Sequence, residues 1–231
     1  MIQGMLCRRT DGTSLPSLSL PDRYLPFSSI GKSFAENNIC EMGYAVSKIY
    51  ARSIIEEFSI RFDENIHCLE DLLFMYQYLL HCDYLVLNHM QNYVYVKHPF
   101  SLSHRIHSFE SEYCCFVKYQ QLLAEMMKVW KIPVGDMVVT VNSMLVPFRR
   151  ALKSDYQPDR IIPREMRVKH LKRMISESRD VFLKYYHPVF KTDKLGKVLL
   201  GFNCYILYDF YIRLLFRLNI GPVFYGPKHM Y

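Results

Sequence analysis

The stretch Glu70-Asp71-Leu72-Leu73-Phe74-Met75-Tyr76-Gln77-Tyr78-Leu79-Leu80 decides the fold class. Its apolar residues recur at Leu72, Leu73, Tyr76, Leu79 and Leu80, the spacing of one helix face. The two acids stand at its start, where the positive end of a helix dipole favours them. Two short β-compatible runs follow, Tyr84 to Leu87 and Tyr93 to Val96, joined by Asn88–Asn92. A helix followed at once by strands predicts an α/β arrangement. His98-Pro99 then breaks the second strand and opens a polar loop, Phe100 to His107.

Working backward from Glu70, Ile60 to Glu64 alternates like a strand and ends in acids. Arg52 to Phe58 has the content of a short helix, and Gly43 to Tyr50 is β-compatible. Met1 to Phe34 is rich in Ser, Pro and Gly and reads as loop or weak strand. Working forward, the text changes near residue 108. Glu110 to Lys131 reads as helix, and Asp136 to Lys153 as a second run that Pro147 should kink or split. Pro163 to Tyr186 is a third, with Pro where a first turn tolerates it, and Lys194 to Leu218 a fourth. The expected organisation is a mixed domain over 1–107 and a helical region over 108–231.

Composition narrows the classes. Of 231 residues half are hydrophobic and 22% charged, which supports a packed core and excludes a disordered chain. The 18 Tyr and 15 Phe suit half-buried packing, and also the aromatic walls of sugar-binding clefts. None of the 7 Cys forms a CxxC pair or a zinc-like spacing with His, so reduced, buried thiols and a cytoplasmic setting are expected. Met1 to Thr10 lacks the apolar stretch of a signal peptide. Charge is uneven. Residues 1–146 hold 12 Lys+Arg against 15 Asp+Glu, whereas residues 147–231 hold 17 against 7. The C-terminal half should therefore meet an anionic surface.

Five segments in order carry a resemblance: Ser47-Lys48-Ile49-Tyr50-Ala51-Arg52-Ser53-Ile54-Ile55, Arg61-Phe62-Asp63-Glu64, Glu70-Asp71-Leu72-Leu73-Phe74, Tyr93-Val94-Tyr95-Val96-Lys97 and Ser101-Leu102-Ser103-His104. Together they resemble the C-terminal part of inverting family-2 glycosyltransferases of the kind that build bacterial surface polysaccharides. The likeness covers roughly residues 43–105. It implies the acceptor side of a partial glycosyltransferase A-type fold, with a helical region after it. It also implies Asp71 as the catalytic base, with Glu70 capping the helix or orienting the acceptor.

The chemistry suits a carboxylate. A base at this point takes a proton from an acceptor hydroxyl as that oxygen attacks the anomeric carbon, and negative charge favours the cation-like sugar. Lys48 has two readings, a phosphate contact or a solvated strand edge. Lys97, His98, Ser101, Ser103 and His104 form a polar stretch after a strand, open to sugar or diphosphate contacts and equally to solvation.

One departure stands out. The family carries an Asp-x-Asp that holds a divalent metal, Mg or Mn, on the sugar diphosphate. Before Gly43 the only aspartates here are Asp11 and Asp22, and no motif in the chain identifies a metal. Met1 is thus expected to begin inside the fold, the chain being a truncated gene product, a fragment or a remnant.

The partners implied are a nucleotide-sugar donor and a glycan or lipid-linked acceptor, with peripheral contact on the inner membrane face through the basic half. The competing reading is a non-catalytic remnant that binds glycan or a partner chain. A nucleic-acid-binding module is a third, and no nucleic-acid motif supports it. Residues 160–184 are rich in Lys and Arg, and the uncharged run Val198 to Tyr208 follows. At 11 residues that run is too short to cross a bilayer. It has two readings, an interfacial amphipathic helix whose basic residues meet anionic lipid, or an aromatic run packed on the catalytic domain with the basic residues solvated.

Overall fold

The computed structural model describes residues 1–37, 39, 42–98, 105–132, 145–156, 161–176, 179, 183, 188, 190–218 and 220. The strands are β1 (Ile2–Gln3), β2 (Met5–Arg9), β3 (Ser14–Leu18), β4 (Arg23–Pro26), β5 (Tyr84–Asn88) and β6 (Val94–Lys97). The helices are α1 (Phe27–Glu36), α2 (Arg52–Glu57), α3 (Glu70–Leu80), α4 (Phe109–Trp130), α5 (Leu145–Tyr156), α6 (Arg164–Ser176), α7 (Lys191–Gly201) and α8 (Tyr205–Arg217). The class is mixed α/β. The chain divides into two units, Met1–Arg105 with Leu122–Met137, and Ile106–Gln121 with Val138–Tyr231. The latter half of α4 thus counts with the first unit, where the Trp130 ring lies 5.5 Å from that of Phe34.

In the first unit two three-stranded mixed sheets run in the orders β1-β5-β4 and β3-β2-β6. One continuous piece of chain, β1 then β2, pairs parallel with β5 (Ile2 opposite Leu87) and then with β6 (Cys7 opposite Tyr95). Gly4 marks the change of sheet. A Cβ there would stand 2.7 Å from the Leu18 carbonyl oxygen, so only glycine fits that approach.

Met1 to Phe34, expected to be loop or weak strand, forms four strands and begins α1. Its prolines mislead for a physical reason: Pro16 and Pro26 lie on β3 and β4, both edge strands, where a missing N–H costs no ladder bond. Ile60 to Glu64, expected to be a strand, is irregular. Ser59 has a φ of 50°, and Asp63 Oδ1 accepts the Asn65 N–H at 2.9 Å, curling the chain into an Asx turn. Gly43 to Tyr50 yields only a bridge between Ile2 and Lys48, because Ser47 with a φ of 60° interrupts any extended run. α2, α3, β5 and β6 form where the sequence places them. The core gathers Ile30 and Phe34 of α1, Met75, Tyr76 and Leu79 of α3, and Leu87 of β5, all essentially sealed from solvent.

The second unit is helical. Phe109, Phe116, Phe148, Leu152, Leu171, Met174, Leu200, Tyr208 and Ile212 make its core. The charged groups buried in it are paired among the described residues. Arg150 donates through Nε and Nη2 to the two Glu112 carboxylate oxygens, at 2.8 Å each. Arg167 donates through Nε and Nη2 to Asp209 at 2.7 and 3.0 Å, and Tyr156 Oη donates to the same carboxylate at 2.9 Å.

The expected run Asp136 to Lys153 is described only from Leu145, with Pro147 in the first turn of α5, and residues 136–144 lie outside the described residues. Lys194 to Leu218, expected as one helix, is two. The break falls at residues 202–204, where Asn203 takes a φ of 57° and ends α7 as Asn can.

Candidate functional site

The site grows from the N-terminus of α3. Leu69 precedes the helix in the left-handed conformation, with a φ of 67°, and no side chain caps the first turn from outside. Asp71 partly fills that role itself, since its Oδ1 accepts the Leu72 N–H at 2.8 Å. The Ala45 N–H also donates to the Asp71 carboxylate. The loop carrying Ala45 comes close because residue 43 is glycine. A Cβ on Gly43 would lie 2.6 Å from Leu72 Cβ and 3.1 Å from Leu72 Cα.

Half-buried, the Asp71 carboxyl is pushed up to about 6, first by loss of water and then by the Glu70 charge beside it. The two backbone N–H groups and the Lys48 ammonium oppose that rise. Lys48 comes from the segment that bridges Ile2. Its Nζ donates to the Tyr44 carbonyl and sits 3.8 Å from the centroid of the Tyr44 ring. Burial brings Lys48 down to about 7, although the Asp71 carboxylate pulls it the other way. A base near neutrality and a lysine close to losing its proton occupy one desolvated corner, a pattern found at functional sites.

Aromatic groups line this corner. The Tyr50 ring meets Phe74 and Tyr78 edge-on, at 5.4 and 4.8 Å between centroids. Burial and the Asp71 charge hold the Tyr50 hydroxyl protonated well above its ordinary range. Tyr78 Oη accepts the Ala51 N–H at 2.8 Å, tying α3 to the segment that follows Lys48. Tyr44 Oη is buried and finds no hydrogen-bond partner among the described residues. An unpaired buried hydroxyl costs about 1–3 kcal/mol. Sequence reasoning missed Tyr44, Tyr50 and Tyr78. The signal available was an aromatic four residues before Lys48 and another two residues after it.

Of the residues expected at the site, Glu70, Asp71 and Lys48 come together. Lys97 ends β6 opposite Arg9, and its charge reaches the Cys7 thiol, which in turn acts on Tyr44. His98 follows β6 and is exposed. Ser101, Ser103 and His104 lie outside the described residues.

The resemblance implies a divalent metal, and the described residues do not fit one. Among the described residues no group of three or more His, Cys, Asp or Glu could hold an ion. Asp71 also has the Lys48 ammonium as a neighbour, which would repel a second cation. No family model and no curated protein matches the chain.

Proposed function

We propose that the chain contributes the acceptor side of an inverting glycosyltransferase, with Asp71 as general base. The observation that carries this reading is the Asp71 carboxyl itself: half-buried at a helix start, fixed by two backbone N–H groups, and held near 6. A general base works best when its pKa lies near the working pH, and this one is largely ionised at neutrality.

In the proposed reaction an acceptor hydroxyl points its proton at Asp71. The carboxylate takes that proton while the hydroxyl oxygen forms a bond to the anomeric carbon. On the opposite face the bond from that carbon to the donor diphosphate breaks, and the leaving group departs with the electron pair. Lys48 keeps Asp71 ionised by its charge and lends positive potential to an approaching phosphate. The ring faces around Tyr50 suit the apolar face of a pyranose. Support beyond geometry comes from the ordered motifs over residues 43–105.

The test is release of nucleoside diphosphate from a panel of nucleotide-sugars in the presence of oligosaccharide and lipid-linked acceptors. Release that depends on acceptor, and that Asp71→Asn abolishes, supports the reading. Release that Asp71→Asn leaves intact rejects it.

A further inference from the structure

The second unit presents an apolar surface that its own packing does not use. Helices α7 and α8 form a hairpin, in which Tyr211 Oη donates to the Thr192 carbonyl at 2.9 Å. Gly196 lets the Tyr208 ring close in, since a Cβ there would stand 3.2 Å from Tyr208 Cε2. One side of α8 buries Tyr208, Asp209, Ile212 and Leu215. The other side carries Ile206, Leu207, Phe210 and Leu214 in the open, and Phe202 at the hairpin turn is 78% exposed. Single exposed apolar residues are ordinary. A row of them along one helix marks a contact surface.

The exposed charges of the hairpin itself have one sign. Of the two acids on the hairpin, Asp193 accepts from Arg149 at 2.9 Å and Asp209 is buried against Arg167. Both point inward. Lys191, Lys194, Arg213 and Arg217 point outward and are exposed. Beside the start of α8 lies a groove of about 710 Å³, lined by Arg164, Glu165, Val168, Lys169, Lys172 and Ile206 among others. Ile206 belongs both to the groove and to the exposed row, so the cationic groove and the apolar stripe are continuous.

We propose that this face docks on an anionic lipid surface. Arg164, Lys169 and Lys172 meet the headgroup phosphates, while Phe202, Ile206 and Phe210 enter the boundary of the acyl region. An apolar stripe with a predominantly cationic rim, in which Arg164, Lys169 and Lys172 outnumber Glu165, is the complement of a surface that is negative outside and apolar beneath. Among the described residues no helix is long and apolar enough to cross a membrane. At 13 residues, α8 is roughly 20 Å long, short of the roughly 30 Å hydrocarbon core, so it lies in the interface. The assignment also narrows the basic run of residues 160–184. Among its described residues Arg167 is committed to Asp209, Arg173 to Glu110 and Arg179 to Asn203, which leaves the groove cations to face lipid.

The experiment is flotation of the whole chain with vesicles of phosphatidylcholine alone or with one part in about three of phosphatidylglycerol, across a salt series. Binding should require the anionic lipid and weaken as salt rises. Lys169→Gln with Lys172→Gln should weaken it about 25-fold, taking about fivefold for each cation at the surface. Phe202→Ser with Phe210→Ser should reduce it by at least about tenfold. These side chains are exposed, so circular dichroism and the melting temperature should stay unchanged in both variants. No flotation at low salt overturns the proposal, as does equal flotation with neutral vesicles. Release by millimolar inorganic phosphate would mean that the groove takes free phosphate instead. A dimer that the Phe variant dissolves would assign the face to a second copy of the chain. Either result overturns the lipid assignment.

Discussion

Lys48 and Asp71 share one desolvated corner, and burial moves each toward its uncharged form while each holds its partner toward the charged one. Two groups that would be permanently charged in water therefore titrate within the range where enzymes work. The pair ties three short pieces of chain, around Ala45, Lys48 and Leu72, into a single functional unit.

Asp71→Asn is the first consequence. Asparagine keeps the shape and can still accept the Leu72 N–H, but it cannot take a proton. With any donor and acceptor that the protein turns over, the rate should fall by about 10²–10⁴-fold, and the circular dichroism spectrum should not change. Near-normal turnover would remove Asp71 from the chemistry.

Lys48→Met changes the pH dependence in a defined direction. The Lys48 cation opposes the rise of the Asp71 carboxyl, so its removal should push that carboxyl further up. The acidic limb of a rate profile, expected near 6 in the native protein, should move to higher pH in the variant. A limb that stays put or moves down would show that the two groups do not communicate.

Stability should carry the same signature. Asp71 is raised in the folded state, so its contribution is full below about 4 and is lost as pH rises through about 6. Lys48 is depressed, so its contribution is full above about 10.5 and is lost as pH falls through about 7. The pair is least favourable between about 6 and 7, where both groups are charged. Urea midpoints measured from pH 4 to 10 should show the native protein losing stability relative to Asp71→Asn between about 4 and 6. A constant difference across that window would contradict the burial described here.

Gly43→Ala probes the platform beneath the site. Its new methyl would press on the Cβ and Cα of Leu72, and the backbone cannot yield as a side-chain tip can. Overpacking of this kind costs about 1–3 kcal/mol. It should also shift the first turn of α3, so turnover should fall alongside the urea midpoint. A fully stable and active variant would mean that the loop and α3 are not pinned together.

In the second unit, Asp209→Ala leaves the Arg167 guanidinium buried without its carboxylate. Breaking one side of a buried pair costs about 3–5 kcal/mol, and Tyr156 loses its acceptor too. The unfolding midpoint should drop accordingly. Replacing both partners, Arg167→Met with Asp209→Leu, should recover most of the loss.

The sequence shows parts of this picture clearly and hides others for identifiable reasons. α3 is legible because Leu72, Leu73, Tyr76, Leu79 and Leu80 repeat at helical spacing, and β5 and β6 because each is a compact apolar run. β1 and β2 are not, because their parallel partners lie far along the chain, Ile2 opposite Leu87 and Cys7 opposite Tyr95. β3 and β4 are not, because their prolines stand on edges that tolerate them. The split between α7 and α8 turns on the backbone of Asn203, which no periodicity reports. At the site, the acid pair and Lys48 are visible as residue types. Their approach is invisible, because it depends on Gly43 and on the left-handed turns at Ser47 and Leu69.

The most direct measurement is the carboxyl carbon resonance of Asp71, identified by its loss in Asp71→Asn and followed by NMR from pH 3 to 9. The titration is repeated with saccharide acceptors added. A poised base should titrate near 6 and shift when an acceptor hydroxyl binds against it. A midpoint near 4, unmoved by every acceptor, would contradict the claim that Asp71 is held for proton transfer.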